Sequence, residues 1–150
     1  MEAGITIIFT RDNTLPAADA DQTKIEQVLV NIFINAMHSM ESGGTLTIGA
    51  ERVNLANVVF DEGSRLRERS YEGDEMVRII VSDTGKGIPE EVLSKLFDPF
   101  FTTKATGKGT GLGLTVSRKI AELHGGELVL ANRRDGLGAV ATLTLRVKKT

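Results

Sequence analysis

The sequence predicts an α/β domain in which strands and helices are interleaved along the chain. Short β-branched runs, such as residues 5–9, alternate with segments of helical periodicity, and clusters of Gly, Asn, Asp and Pro separate them. The length of 150 residues suits a single domain, because a chain of this size can bury a core without a disulfide or a metal. No internal repeat or low-complexity tract indicates a second unit.

The first half of the chain is predicted to contain one long helix between strands. Asp21 is placed to cap a helix that runs to about Met40, where two glycines stop it. The stretch 54–75 is polar and charge-rich, and it is interpreted as a solvated loop. The expected strands are residues 5–9, 45–53 and 77–82.

The second half is predicted to end in a helix and two strands. Pro89 suits the first turn of a short helix through Phe97, because its missing N–H costs nothing there. Residues 114–124 have a helical pattern with Val116, Ile120 and Leu123 on one side, and His124 is expected to be a surface residue at its end. The expected strands are 127–131 and 139–147, joined by a turn at 133–136.

The composition excludes several classes of function. The chain has no Cys, which excludes a thiolate zinc site, a redox pair and a cysteine nucleophile. The net charge of −2 argues against nucleic-acid binding, which needs a basic domain or a basic face. No apolar run approaches the ~20 residues of a membrane-spanning helix. We therefore expect a cytoplasmic protein, or a piece of one, that contacts neither nucleic acid nor membrane directly.

The helix at 21–40 carries its polar residues in one narrow stripe. Apolar positions cover more than half of its circumference, which is typical of a buried helix. At about 100° per residue the polar residues fall within one arc, and they are Gln27, Asn31, Asn35 and His38. Buried amides need partners, so the two Asn residues are either structural hydrogen-bonding groups or ligands. A ligand role would suit Asn35, whose carboxamide oxygen could bind Mg²⁺ together with substrate phosphates.

Two glycine-rich strings could hold a ligand, although each alone is compatible with an ordinary turn. Asp83 follows a predicted strand, so its carboxylate lies beside backbone that a flat ligand could approach. The residues after it include Gly85, Gly87 and Ile88. The second string leads into a helix, where free backbone N–H groups could bind phosphate. It contains Gly109, Thr110, Gly111, Leu112 and Gly113, and it fits neither the dinucleotide pattern nor the P-loop pattern.

A Phe-rich string precedes the second glycine string. It runs from Phe97 to Lys104 and holds three of the six Phe residues of the chain, for which core packing is the ordinary explanation. Lys104 and Lys108 flank the glycine-rich loop. They are either solvated side chains or point charges that meet phosphates.

Taken together and in this order, the four strings resemble the catalytic and ATP-binding domain of bacterial sensor histidine kinases. Residues 27–36 are similar to the asparagine box of that family and 83–88 to its first glycine box. Residues 97–104 are similar to its phenylalanine box and 109–114 to its second glycine box. The resemblance covers nearly the whole chain. It implies a two-layer α/β sandwich, in which a mixed sheet of about five strands is covered on one face by about three helices, with a long ATP lid from Asp98 to Gly113.

The resemblance also implies roles for single residues. Asp83 would accept a hydrogen bond from the adenine amino group, and Gly85 and Gly87 would let the base lie close. Asn35 would bind Mg²⁺ between the phosphates of ATP, with Asn31 beside it. Further nucleotide-binding positions would be Ile88, Phe97, Lys104, Gly109, Thr110, Gly111, Leu112 and Gly113.

The implied activity is that of an ATP-dependent protein-histidine kinase. The γ-phosphate of Mg-ATP would pass to a His in a dimerisation and phosphoacceptor domain, and from there to the receiver domain of a response regulator. Asn31, Asn35 and Lys104 would take part in this transfer. Neither His of the chain lies in a phosphoacceptor-like sequence, so residues 1–150 are expected to be the catalytic domain alone, as a monomer. Many family members carry Lys or Arg where this chain has His38, which puts a phosphate contact by His38 in doubt.

Other members of the wider superfamily remain alternatives. Type II topoisomerases, heat-shock chaperones and mismatch-repair proteins share the fold and hydrolyse ATP with a Glu one turn before the metal-binding Asn. This chain has Asn31 there, and a carboxamide cannot take a proton from water at neutral pH. A kinase is therefore favoured over a clamp ATPase. A nucleotide-binding module without catalysis and a serine-directed kinase are the remaining alternatives.

Overall fold

The β-branched runs and the periodic segments of the sequence form the strands and helices of the fold. The structure is a computed structural model, and it describes residues 4–54, 56, 75–98 and 113–148. Each of the five predicted strands is present, with ends that differ from the prediction by at most two residues. The elements are β1 (Ile5–Arg11), α1 (Gln22–His38), β2 (Gly44–Asn54), β3 (Glu75–Asp83), α2 (Glu90–Leu93), α3 (Gly113–Leu123), β4 (Glu127–Asn132) and β5 (Ala139–Arg146).

The strands form one mixed sheet with the order β1-β2-β3-β5-β4. β1 pairs with β2 in parallel, and the other neighbouring pairs are antiparallel. The register pairs Leu46 with Asp83 and Ser82 with Val140. The carboxyl end of β3, where Asp83 lies, is therefore flanked by the beginnings of β2 and β5.

One face of this sheet packs against α1 and α3. The core takes residues from both layers, among them Val28 of α1, Ala121 of α3 and Leu143 of β5, none of which is accessible to solvent. Burying a side chain of the size of Val or Leu stabilises the fold by roughly 1.5–3 kcal/mol. The predicted α/β class and the mixed sheet with helices packed on it are confirmed.

α1 is less buried than its composition predicts. Its buried residues are Ile25, Val28, Ile32 and Ala36. Val30 and Ile34 on the other side are 51% and 38% exposed. In a two-layer fold a helix packs on one side only, so its outward apolar residues face solvent in this chain. None of the helices among the described residues is long and apolar enough to span a membrane.

The buried face of α3 also differs from the prediction. Ile120 is buried, as expected, but Val116 and Leu123 are 38% and 73% exposed. Ser117 is fully buried instead. The buried face consists of Ser117, Ile120 and Ala121, and Ser117 forms a hydrogen bond with Asn31 of α1.

The ends of α1 follow from its capping residues. The Asp21 carboxylate accepts a hydrogen bond from the Lys24 N–H at 3.2 Å, which confirms Asp21 as the N-cap. The helix ends at His38, slightly before the predicted end near Met40. Gly43, with φ of +96°, follows in the conformation that favours glycine.

α2 is shorter than predicted. It ends at Leu93 rather than at Phe97. The chain beyond it forms tighter turns, in which an N–H group bonds to the carbonyl three residues back, as Lys95 does to Val92 at 2.9 Å. Most of the predicted lid, residues 99–112, lies outside the described residues, as does 57–74 of the predicted solvated loop.

Candidate functional site

The loop that follows β3 lies against the carboxyl end of α1. We call residues 83–88 the Asp83 loop. A Cβ atom added at Gly85 would collide with the side chain and backbone of Ser39, the residue that caps α1. Beside this contact, the Thr84 hydroxyl accepts the Thr45 N–H at 2.9 Å. The fold therefore brings the first glycine string next to the helix that carries Asn31 and Asn35.

Asp83 presents a buried carboxylate at the end of β3. The residue is 5% exposed. Its Oδ1 accepts hydrogen bonds from the Gly85 N–H at 2.9 Å and from the Ala139 N–H at 3.2 Å. Within the described part of the chain, Oδ2 has no hydrogen-bond partner. One oxygen is thus fixed by the backbone, and the other is available as an acceptor for a ligand.

The far end of the Asp83 loop is held by Asn132, which the sequence did not single out. The Ile88 N–H donates to Asn132 Oδ1 at 2.7 Å, and Asn132 Nδ2 donates to the Ile88 carbonyl at 2.6 Å. Asn132 stands at the end of β4 before an Arg-Arg-Asp-Gly turn, where Asn is common for reasons of turn geometry. From the sequence alone, Asn132 therefore cannot be distinguished from an ordinary turn residue.

Asn31 and Asn35, one turn apart on α1, have different surroundings. Asn31 is half-buried, and its Nδ2 donates to the Ser117 hydroxyl at 3.1 Å and, at 3.4 Å, to the Gly113 carbonyl. These bonds give the Asn31 amide the partners that a structural role requires, and a ligand role for Asn31 stays a prediction. They also tie α1 to the first residue of α3, where the predicted lid ends.

Asn35 is half-buried, and its carboxamide is a predicted part of the site. Among the described residues, no group forms a hydrogen bond with its side chain. A carboxamide oxygen without a protein partner fits the ligand set of Mg²⁺, which takes few protein oxygens and completes its shell with water and phosphate. His38, at the last position of α1, is exposed. No group of three acidic or His side chains that could hold a metal occurs in the described ranges.

Phe97 packs on the core rather than standing free in the site. Its ring is half-buried against the core, and the Arg118 guanidinium lies 4.8 Å from the ring centroid. Its carbonyl accepts the Thr115 hydroxyl at 2.9 Å. These contacts agree with core packing as the ordinary explanation for this ring. A contact between Phe97 and the nucleotide stays a prediction.

The lid residues divide between the described and the undescribed parts of the chain. Gly113 begins α3, and its carbonyl meets Asn31 as described above. The other predicted lid contacts lie outside the described residues, and they are Lys104, Gly109, Thr110, Gly111 and Leu112. Asp98 and Gly113 are therefore the two residues of the predicted lid that the structure describes.

His124 is more than the expected surface residue. It is half-buried, and its Nε2 accepts the Asp21 N–H at 3.1 Å while Nδ1 lies 2.7 Å from the Ile120 carbonyl. The first bond assigns the neutral tautomer with the proton on Nδ1. His124 thus joins the carboxyl end of α3 to the amino end of α1, at the opposite end of the helix pair from Asn31.

The chain matches one protein family over most of its length. The model of the family described as "Histidine kinase-, DNA gyrase B-, and HSP90-like ATPase" matches residues 20–149. The sensor histidine kinase ZraS of Salmonella typhi is 38% identical over 143 residues, which are 95% of this chain and 26% of that protein. This chain spans about a quarter of the length of the curated relatives that it matches first.

Solved structures show the same fold. The catalytic domain of the histidine kinase ThkA, in a nucleotide-free form, superposes with a TM-score of 0.70 and 34% identity. The match covers 97% of this chain and 82% of that domain. ThkA in complex with the response regulator protein TrrA superposes with a TM-score of 0.65 and 31% identity, over 96% of this chain and 34% of that chain.

Proposed function

Because the chain belongs to the family of histidine kinase-, DNA gyrase B- and HSP90-like ATPases, we propose that it is the catalytic domain of a sensor histidine kinase. In this proposal it binds Mg-ATP and donates the γ-phosphate to a His side chain of a phosphoacceptor domain. The observation that supports it most directly is the geometry of Asp83. A buried carboxylate with one oxygen fixed by backbone and the other free suits an amino group such as that of adenine.

The nucleotide would lie between two parts of the site. We call the Asp83 loop with its supports the base end, and the part of α1 that carries Asn31 and Asn35 the phosphate end. The two are neighbours because Gly85 packs on Ser39, directly after α1. Asn35 Oδ1 would bind Mg²⁺, which when bound with ATP offsets the charge of the phosphate oxygens. Lys104 and the lid residues Gly109, Thr110, Gly111 and Leu112 are proposed phosphate contacts.

The transfer would need little covalent chemistry from this chain. A His nitrogen of the phosphoacceptor domain would form a bond to the γ-phosphorus while the bond from that phosphorus to the β,γ-bridging oxygen breaks. ADP would leave with the bond's electron pair, and the product would be a phosphohistidine. The chain would hold the γ-phosphate in line for this attack and exclude other acceptors.

The surroundings of Asn31 favour transfer to protein over hydrolysis. A water molecule that attacks the γ-phosphate needs a base, and Asn31 is a carboxamide whose N–H groups bond to Ser117 and Gly113. The phosphoacceptor His would come from a separate domain. A response regulator is the proposed final acceptor, since ThkA forms a complex with one. The domain would act in the cytoplasm, where ATP is available.

The test combines nucleotide binding with phosphate release by this chain alone. We expect calorimetry to show Mg-ATP binding and the same preparation to release phosphate far more slowly than ~1 s⁻¹, the low end of typical enzyme turnover. Addition of the phosphoacceptor domain of the parent kinase should then produce acid-labile protein phosphorylation. Rapid phosphate release without a partner would contradict the kinase proposal and favour a clamp ATPase. Absence of nucleotide binding would contradict both.

A further inference from the structure

We infer that Asn132 positions the Asp83 loop for recognition of the adenine amino group. The inference rests on the proposed function, because Asp83 would bind the base there. Asn132 would not touch the nucleotide in this role. It would act through the backbone of Ile88 and is therefore a positioning residue.

Both polar atoms of the Asn132 side chain bind the same residue. Oδ1 accepts the Ile88 N–H at 2.7 Å, and Nδ2 donates to the Ile88 carbonyl at 2.6 Å. A side-chain amide used in this way imitates a paired strand, since it satisfies one backbone donor and one backbone acceptor together. The two bonds fix the position and the orientation of the backbone at the end of the Asp83 loop.

Gly87 shows how closely Asn132 approaches this loop. Its φ is +76°, and a Cβ atom added there would lie 3.0 Å from Asn132 Oδ1. The backbone conformation and the close approach both favour glycine at this position. Gly87 thus allows the amide of Asn132 to reach Ile88.

The same hairpin also holds the beginning of the loop. The Ala139 N–H of β5 donates to Asp83 Oδ1 at 3.2 Å, and a Cβ atom added at Gly138 would collide with the Asp83 carbonyl. The β4–β5 hairpin therefore binds the loop at residue 83 and again at residue 88. With both ends held, the free Oδ2 of Asp83 keeps a constant direction relative to the Ile88 backbone.

This arrangement predicts that loss of Asn132 weakens the preference for the amino group in particular. A probe pair isolates that preference: ATP, and purine riboside 5′-triphosphate, which lacks the 6-amino group. Without Asn132 the Ile88 end of the loop is released, and the Gly85 N–H that binds Asp83 Oδ1 can move with it, so that Oδ2 is held in one direction less firmly. We expect Asn132→Ala to weaken Mg-ATP binding about tenfold, as for one misaligned hydrogen bond to a charged group, and to leave the affinity for the purine analogue nearly unchanged.

The control is a second Asn that binds backbone at the end of a strand. Asn54 Oδ1 accepts the Ala56 N–H at 2.9 Å, and Asn54 pairs with Glu75 at the opposite end of β3 from Asp83. Asn54→Ala should change neither affinity. Asn132→Asp keeps the acceptor for the Ile88 N–H but sets its second oxygen against the Ile88 carbonyl, so we expect it to lose the preference for ATP as Asn132→Ala does.

The measurement is calorimetric affinity of the full chain for both Mg-nucleotides, with urea unfolding of each variant as the check on folding. Equal losses for ATP and for the analogue would overturn the inference, because a general structural defect does not select between them. Unchanged ATP affinity in a folded Asn132→Ala protein would overturn it as well. If Asn132→Ala does not fold, the affinities of Asn132→Asp for Mg-ATP and for the purine analogue are compared instead. If neither variant folds, Asn132 is needed for the fold as a whole, and the inference is overturned. Failure of the wild type to bind ATP would instead reject the proposed function, and the inference with it.

Discussion

The base end and the phosphate end of the proposed site are built in different ways. At the base end, Asp83 is fixed by groups distant in sequence, such as the Ala139 N–H of β5. At the phosphate end, one helix supplies Asn31 and Asn35, four residues apart, and of the two only Asn31 forms side-chain hydrogen bonds with other described residues. The base end thus depends on tertiary structure, and the phosphate end depends on helical periodicity together with one contact to α3.

The largest effect that this comparison predicts is at Asp83. In Asp83→Asn the new Oδ1 can still accept the Gly85 and Ala139 N–H groups, but the free oxygen becomes an NH₂ group that faces the adenine amino group. Two donors then meet, so we expect Mg-ATP binding to weaken about 100-fold while the fold persists. Calorimetry with far-UV circular dichroism checks both points. An affinity within a few fold of the wild type would show that Asp83 does not bind the base.

The second largest effect is expected at Asn35, where a substitution tests whether the side chain binds the metal or is a structural amide. Asn35→Ala should weaken ATP binding about tenfold in Mg²⁺ and leave binding in EDTA almost unchanged, because the carboxamide oxygen acts only through the metal. Gln27→Ala, an exposed residue on the same polar stripe, is the matched control and should change neither value. Equal losses with and without Mg²⁺ would make Asn35 a structural residue.

The two ends also differ in how far the sequence predicted them. The stripe of polar residues on α1 could be predicted because a helix places residues four apart on one face, and Asn31 and Asn35 lie one turn apart in the structure. The hydrogen-bond partners of these residues could not be predicted, since the partner of Asn31 is Ser117, 86 residues away. At the base end the sequence indicated Asp83, but Asn132 and the Ala139 N–H come from a hairpin whose pairing with β3 depends on the whole sheet.

Gly85 is a second case in which the sequence indicates an important residue but not its contacts. The family resemblance explains this glycine by the close approach of a base. The structure adds a second reason, because a Cβ atom there would collide with the Ser39 backbone whether or not a ligand is bound. A sequence motif indicates that glycine is needed at a position. Only the structure shows which atoms pack against that glycine.

The smallest predicted effect tests the contact that joins the phosphate end to α3. Ser117→Thr and Ser117→Val add the same bulk to a fully buried position, but only Thr keeps the hydroxyl that accepts from Asn31 Nδ2. Because a buried donor without a partner costs roughly 1–3 kcal/mol, Ser117→Val should be about 1 kcal/mol less stable to urea unfolding than Ser117→Thr. The difference should disappear when Asn31 is also replaced by Ala, since the donor is then gone. A difference that persists in the Asn31→Ala background would mean that the hydroxyl stabilises α3 through another group, and the Gly113 carbonyl would then be the only partner that joins Asn31 to α3 among the described residues.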